Sequence, residues 1–178
     1  MNKRPVIWLT GKSGSGKSTL AKHILDYLKE NGFKAIIIDG DSVRDQDKVK
    51  LGFGVNDVSI NNQRIARLSQ EKRKDYDFVI VPVISPYESV RIKVRDILQP
   101  DFHLVYLKID IETLKKRDPK GLYAAADRGE IKGLIGYSDE NPYNEPINPE
   151  LTVLMSKNQK IRVSFNIIIN YLSKSNLL

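Results

Sequence analysis

A glycine-rich segment near the start of the chain has the residue types and spacing of a phosphate-binding loop. It reads Gly11-Lys12-Ser13-Gly14-Ser15-Gly16-Lys17-Ser18 and matches the pattern G-x-x-x-x-G-K-[ST]. Glycines let the backbone wrap closely round phosphate oxygens, and the amide N–H groups and a following helix N-terminus supply positive potential. We expect this loop, together with Thr19, to bind ATP, with Lys17 reaching the β- and γ-phosphates and Ser18 binding Mg²⁺.

A dinucleotide-binding loop and a chance glycine-rich turn both fit this segment less well. The dinucleotide-binding pattern G-x-G-x-x-G is not completed, because Gly14-Ser15-Gly16 is followed by Lys17-Ser18-Thr19. A chance turn would not require a buried strand before it and a helix after it. Val6 to Leu9 is an apolar run, and Thr19 to Asn31 has helical periodicity, so the loop lies in the context that phosphate binding needs.

A pair of carboxylates follows the second apolar segment, as Asp39-Gly40-Asp41. A carboxylate there would face the γ-phosphate and accept a proton from an acceptor hydroxyl, a step worth about 10²–10⁴-fold in rate. The alternative for each aspartate is a turn residue beside Gly40, and we expect one of the two to have that structural role. The spacing alone leaves open which of the two carboxylates acts in catalysis.

Phosphoryl transfer competes with a second class of function, the nucleotide switch or binding module. Switch GTPases and motor ATPases place an aspartate at the end of the third strand, where this chain has Val83-Ile84-Ser85-Pro86. The segment Asp118-Pro119-Lys120-Gly121 has a D-x-x-G spacing but follows the fourth strand, and no guanine-specificity motif comes after it. These features favour a kinase.

The elements that must position these residues follow an alternating order. Apolar segments predict strands at 6–10, 35–38, 78–84, 102–109 and 151–154, and helical periodicity predicts helices at 19–31, 62–74, 85–98, 110–114 and 161–172. Such alternation predicts an α/β fold of the P-loop kinase type, with a parallel sheet of about five strands and helices on both faces. Ser85-Pro86-Tyr87-Glu88 has the spacing of a capping box at the start of the third helix.

The segment from about 118 to 149 interrupts this order and is rich in Gly, Pro, Asn and charged residues. Long irregular segments inside a compact domain are often functional, so we expect a lid over the active site.

With 178 residues the chain is the length of one domain, and we assign residues 1–178 to a single P-loop kinase domain.

The amino-acid composition limits the kinds of ligand and partner that the protein can bind. The chain has no cysteine, which excludes disulfides and favours a cytoplasmic setting, and its apolar runs are too short to span a membrane. The net charge of +7 comes from lysines and arginines spread along the chain, without an aromatic-rich strand for base stacking. We therefore expect anionic small molecules as ligands and no nucleic acid.

Several motifs together resemble the adenylyl-sulfate kinase family, from Val6 to about Leu151. They are the phosphate-binding loop with its strand, Asp39 to Arg44, Leu51-Gly52-Phe53, Asn61, Arg64-Ile65-Ala66, Ile84 to Tyr87, Arg117-Asp118-Pro119-Lys120-Gly121-Leu122-Tyr123, Gly129 to Lys132, and Pro142-Tyr143 through Glu150. The run from Arg117 to Tyr123 is highly specific to that family. The resemblance implies transfer from ATP to the ribose 3′-hydroxyl of adenylyl sulfate, and it implies a homodimer, which is common in the family.

The resemblance also implies roles for individual residues. Asp41 would be the catalytic carboxylate on the acceptor side and a partner of Mg²⁺. Arg117 would reach ATP from the base of the lid, and Ser85 would correspond to a serine to which a phosphoserine role is assigned. The remaining positions would bind the nucleotide acceptor, with Phe53 and the position of Leu134 on either side of its base. These acceptor positions are Asp41, Arg44, Phe53, Asn61, Ile84, Ser85, Lys120 and Leu134.

The departures from the family concentrate on the acceptor side. The family has Asn at Ser42, Arg at Val58 and at Gln63, two lysines at Ala124-Ala125, and Phe-Thr-Gly at Leu134-Ile135-Gly136. Leu134 gives up one stacking face, which costs a purine more than a pyrimidine, and Val58 removes a cation near the acceptor's 5′ group. Adenylyl sulfate is the expected acceptor, and cytidine diphosphoramidate, an intermediate of surface polysaccharide decoration, is the alternative.

Overall fold

Five parallel strands form the central sheet of the computed structural model, which describes residues 4–45, 52, 54–156 and 159–178, with the side chains of 44 and 45 left out. The strands are β1 (Val6–Thr10), β2 (Ala35–Ile37), β3 (Phe78–Pro82), β4 (Phe102–Lys108) and β5 (Leu151–Leu154). Their order is β2-β3-β1-β4-β5, and every neighbouring pair is parallel. The predicted sheet and its five strands are confirmed.

Seven helices connect or follow the strands in the described ranges. They are α1 (Lys17–Glu30), α2 (Gly40–Asp45), α3 (Val55–Lys72), α4 (Glu88–Leu98), α5 (Ile111–Arg117), α6 (Leu122–Asp127) and α7 (Ile161–Lys174). Within those ranges none of the helices has the length and apolar content of a membrane span.

The observed helices differ from the predicted ones at two places. Helix α2 was not predicted, and the predicted start of α3 was seven residues too late because the first turns of that helix carry mostly polar side chains.

The sheet is covered on both faces, as continuous apolar strands require. Successive residues of β1 point to opposite faces, so Ile7 and Leu9 pack with α1 and α7, whereas Val6 and Trp8 pack with α3 and α4. All four of these side chains are fully buried. β1 is therefore held from both sides, and the loop that follows it starts from a rigid element.

The connection from β3 to α4 differs from its prediction. The helix begins at Glu88, Tyr87 stands in extended backbone at its N-cap, and no side chain caps it. The capping-box prediction for Ser85 was therefore wrong. The Glu88 carboxylate is bound instead by the guanidinium of Arg91, and the positive φ of Ser85, 45°, turns the chain before the helix can start.

Candidate active site

The phosphate-binding loop lies between β1 and α1 and depends on its glycines at two positions. Gly16 stands at the N-cap of α1 with φ 95°, a conformation that costs a residue with a side chain more than it costs glycine. A Cβ on Gly11 would lie 2.9 Å from the backbone oxygen of Leu107 on the neighbouring strand β4. The loop can therefore approach both the sheet and a ligand closely only with glycine at these positions.

Lys17 is buried at the floor of this loop. Its Nζ donates hydrogen bonds to the carbonyl oxygens of Gly11 and Lys12, each at 2.9 Å. Burial lowers the pKa of Lys17 to about 7, and the negative charge of Asp41 is the main influence in the opposite direction. A desolvated ammonium group gains a strong partner when an anionic ligand arrives, which is the property that a phosphate-binding lysine needs.

The two aspartates after β2 have different surroundings. One carboxylate oxygen of Asp39 accepts hydrogen bonds from the backbone N–H groups of Asp41 (2.9 Å) and Ser42 (3.2 Å) at the start of α2. This is the geometry of a helix cap. The side chain of Asp41 is exposed and borders the cavities described next. Asp39 thus caps α2, and both aspartates line the phosphate pocket.

Three adjoining cavities lie at the carboxyl end of the sheet, and Asp41 and Ile84 line all of them. The phosphate pocket has a volume of about 250 Å³ and contains the P-loop residues Gly14, Gly16, Lys17 and Ser18. The lid pocket, of about 450 Å³, lies between the lid and the P-loop. A third, small cavity of about 50 Å³ lies behind Asp41. Ser13 and Lys120 line both larger pockets, so a phosphoryl group leaving the first pocket would enter the second beside Asp41.

The lid pocket has an apolar wall. Leu122, Ile131, Leu134 and Ile135 form it, and no aromatic side chain is present among the described residues that line this pocket. Phe53, expected to stack on the acceptor's base, lies outside the described residues. Leu134 does line the pocket and supplies an aliphatic surface there.

The small cavity is lined by polar atoms that lack partners. Asn61 is 2% exposed and Ser85 is 1% exposed. Among the described side chains, Asn61 Oδ1, Asn62 Oδ1 and Ser85 Oγ are buried without a hydrogen-bond partner. Buried polar groups are normally paired, so these unpaired groups beside Asp41 indicate a place for a ligand or an ordered water. Asn62 has no assigned role in the sequence-based prediction.

The remaining predicted residues lie in different environments. The guanidinium of Arg117, at the end of α5, donates a hydrogen bond to the carbonyl of Ser156, just after β5. The side chain of Arg44 lies outside the described part of the chain. Val58, where the family has arginine, is buried in an apolar cluster with Tyr87, Val90 and Ile135. The site therefore has no cation at position 58.

Tyr123 contacts the P-loop, and no sequence motif predicted this contact. The residue is 1% exposed on α6, and its hydroxyl donates a 2.8 Å hydrogen bond to the carbonyl of Ser13. Burial raises the pKa of Tyr123 to about 12, so the hydroxyl keeps its proton at neutral pH. This bond joins the start of the lid to the phosphate-binding loop.

We expect Tyr123→Phe to lower Tm by a few degrees and to raise the KM for ATP several-fold, with kcat little changed. The lost hydrogen bond leaves the Ser13 carbonyl unpaired, at a cost of about 1 kcal/mol, which corresponds to about 2–4 °C in a chain of this size. Tyr137→Phe is the control, because that hydroxyl bonds the exposed Lys115 and Asp127 instead. A Tyr123→Phe protein with unchanged Tm and unchanged KM for ATP would contradict this role.

The oxygen donors of the site fit Mg²⁺. Ser18 supplies a hydroxyl and Asp41 a carboxylate, and both line the phosphate pocket. Mg²⁺ prefers oxygen ligands and in kinases is held by one or two protein groups together with phosphates and waters. The described residues contain no group of three or more His, Cys, Asp or Glu side chains that could hold a metal ion.

The family model and the relatives found by sequence point to one family. The family model for adenylylsulphate kinase matches residues 3–154. A probable adenylyl-sulfate kinase of Archaeoglobus fulgidus is 40% identical over 155 residues, which cover 87% of this chain and 98% of that protein. The adenylyl-sulfate kinase of Clostridium acetobutylicum is 38% identical over 176 residues, 99% of this chain and 86% of that protein.

A solved structure is similar over the same length. The APS kinase of Mycobacterium tuberculosis, solved in complex with AMPPNP and APS, superposes with a TM-score of 0.85 at 31% identity. The match covers 97% of this chain and 99% of that one.

Proposed function

The chain belongs to the adenylylsulphate kinase family, and on that premise we propose that it transfers the γ-phosphoryl group of ATP to the ribose 3′-hydroxyl of adenylyl sulfate. The observation that carries this proposal is the position of Asp41, which lines both the phosphate pocket and the lid pocket. A carboxylate at that junction lies between a donor phosphate on one side and an acceptor hydroxyl on the other.

The P-loop and Lys17 bind and orient the donor. Backbone N–H groups and the N-terminus of α1 surround the phosphates, and the Lys17 ammonium follows the charge that develops on the γ-phosphoryl group. When bound through Ser18 and Asp41, Mg²⁺ supplies further stabilisation of phosphate charge. In the transfer, the acceptor oxygen forms a bond to the γ-phosphorus as the bond to ADP breaks.

Asp41 accepts the proton that the acceptor hydroxyl loses in this step. The acceptor itself extends into the lid pocket, where Leu134 and Ile135 contact its base and Lys120 lies near its charged part. Its 5′ group approaches Asn61 and the backbone of Ile84. Arg44 and Phe53 complete the binding site in this proposal, and Arg117 contacts ATP. Ser85 lines the small cavity behind Asp41 and contacts the 5′ group.

The proposal also covers the cellular compartment, the metal ion and the oligomeric state of the protein. We place the reaction in the cytoplasm, with Mg²⁺ as the metal and with a homodimer as the assembly. The relatives named above are all adenylyl-sulfate kinases, and they favour neither cytidine diphosphoramidate as the acceptor nor a nucleotide switch.

A coupled assay of ADP release against a panel of 5′-modified nucleotides tests the proposed function. The expected result is rapid ADP release with adenylyl sulfate and slow release when no acceptor is present. A nucleotide switch would instead hydrolyse ATP or GTP slowly and at the same rate with and without acceptors. Slow release with adenylyl sulfate would refute the proposed acceptor.

The lid offers a separate prediction. Its first part is tied to the P-loop by Tyr123, whereas residues 128–130 and 139–140 are exposed. We expect amides of residues 128–140 to gain protection from hydrogen exchange when an ATP analogue and the acceptor bind together, because kinase lids close to exclude water. Amides of β1 serve as the internal control. Equal exchange of 128–140 with and without ligands would contradict lid closure.

A further inference from the structure

A fully buried arginine lies outside the three cavities but contacts the backbone that surrounds them. Arg91, on α4, is 2% exposed. Its Nη1 donates a 2.7 Å hydrogen bond to the carbonyl of Ser85, and its Nη2 donates one of the same length to the carbonyl of Asn144. Its Nε donates to the carboxylate of Glu88 at 2.8 Å. One guanidinium thus joins the turn after β3 to the end of the lid.

The same guanidinium is connected to the phosphate-binding loop through Tyr143. Arg91 Cζ lies 5.7 Å from the centroid of the Tyr143 ring, in cation–π contact. The Tyr143 hydroxyl is 2.9 Å from Thr10 Oγ1, and Thr10 Oγ1 donates to the carbonyl of Ile84. Thr10 is the last residue of β1, directly before Gly11. The cluster therefore links the P-loop strand, the Ile84–Ser85 turn and the lid.

The turn that Arg91 holds is strained. Ser85 has φ 45°, a conformation that non-glycine residues rarely adopt and that persists only where the surroundings enforce it. The Arg91 bond to the Ser85 carbonyl and the 2.8 Å bond from Asn144 N–H to the Pro86 carbonyl both hold this turn. Ile84 and Ser85 line the small cavity with Asp41, so the shape of the turn sets the acceptor side of the site.

The contribution of the Arg91–Glu88 ion pair to folding stability does not by itself explain why this arginine is buried. A buried ion pair carries a desolvation cost that often equals its attraction, so its contribution to folding is small. The next arginine on α4 gives a direct comparison. Arg95 pairs with Glu150 at 2.5 and 2.9 Å and with the carbonyl of Asn148, and it bonds neither the Ser85 turn nor Tyr143. Both arginines lie on α4 and each pairs with a glutamate, but they bind different parts of the backbone.

We propose that Arg91 is a positioning residue for the acceptor. It fixes the Ile84–Ser85 turn against the returning end of the lid, so that the acceptor's reacting hydroxyl faces Asp41. This inference rests on the proposed function for the identity of the acceptor, but the contacts that carry it do not depend on that identity.

The test compares two double variants that remove both members of an ion pair, so that no charge is left buried alone. In Arg91→Met/Glu88→Gln we expect the KM for adenylyl sulfate to rise at least about 10-fold and kcat/KM to fall about 10²-fold, because small misplacements of reacting groups cost about that much. The KM for ATP should stay within about twofold. Arg95→Met/Glu150→Gln is the matched control and should keep the parent's kinetics with both substrates.

Two results would overturn the proposal. One is a folded Arg91→Met/Glu88→Gln protein with the parent's acceptor kinetics. The other is a fall in Tm together with an equal loss of kcat/KM for ATP and for the acceptor, since that pattern indicates destabilisation only.

If the parent protein does not phosphorylate adenylyl sulfate, the proposed function fails, and hydrogen exchange at the Asn144 amide tests the role of Arg91 independently. The Asn144 amide should lose protection in Arg91→Met/Glu88→Gln and keep it in Arg95→Met/Glu150→Gln.

Discussion

Replacing Lys17 with alanine is expected to lower kcat by about 10³-fold. The ammonium of Lys17 is the charged group at the floor of the phosphate-binding loop, and it lies in a buried position where electrostatic interactions are strong. In phosphoryl transfer most of the catalysis comes from positioning and charge stabilisation, so little else in the loop can replace it. Steady-state ADP release with saturating ATP and acceptor measures the effect.

Lys22→Ala is the matched control for this variant. Lys22 is an exposed lysine on the same helix, α1, and its loss removes one positive charge without changing the loop. It should leave kcat unchanged. Near-normal turnover in a folded Lys17→Ala protein would refute the assignment of residues 11–18 as the ATP site.

Asp41→Asn is expected to lower kcat by at least about 10²-fold. Asparagine keeps the shape of the side chain but removes the negative charge, and with it the capacity to accept a proton or to bind Mg²⁺ as an anion. The KM for ATP should change less than kcat, since the contacts of the P-loop backbone are retained. Circular dichroism and Tm establish that the variant is folded.

Asp39→Asn is the comparison that separates the two aspartates. The Asp39 carboxylate caps α2 through the backbone N–H groups of Asp41 and Ser42, and asparagine caps helices about as well as aspartate. We therefore expect the activity of Asp39→Asn to stay within a few-fold of the parent's. If Asp39→Asn loses activity severely and Asp41→Asn does not, the roles of the two residues are reversed.

The features that the sequence predicted well are those encoded by short segments. β1 and β5 have the predicted bounds because each is a short and mostly apolar segment. The phosphate-binding loop was recognisable because its glycines and Lys17 lie within eight consecutive residues. Parallel pairing of the strands then followed from the helices between them.

The features that it missed depend on residues distant in the chain. Arg91 has the spacing of an ordinary helical residue, and its role depends on Ser85 and on Asn144, 53 positions away. The bond from Tyr123 to Ser13 joins residues 110 positions apart. The capping box at Ser85 failed because Arg91 binds the Glu88 carboxylate. Neither α2 nor these contacts carry a local periodicity that a single sequence could reveal.

A competition experiment tests most directly whether adenylyl sulfate is the acceptor. The protein is given labelled ATP with adenylyl sulfate and a cytidine 5′-diphosphate derivative in one mixture, and the labelled products are separated and counted. We predict transfer to the 3′-hydroxyl of adenylyl sulfate with a kcat/KM advantage of more than about 10²-fold, near 2.7 kcal/mol in transition-state binding. Equal labelling of both nucleotides, or preferential labelling of the cytidine derivative, would contradict the proposed function.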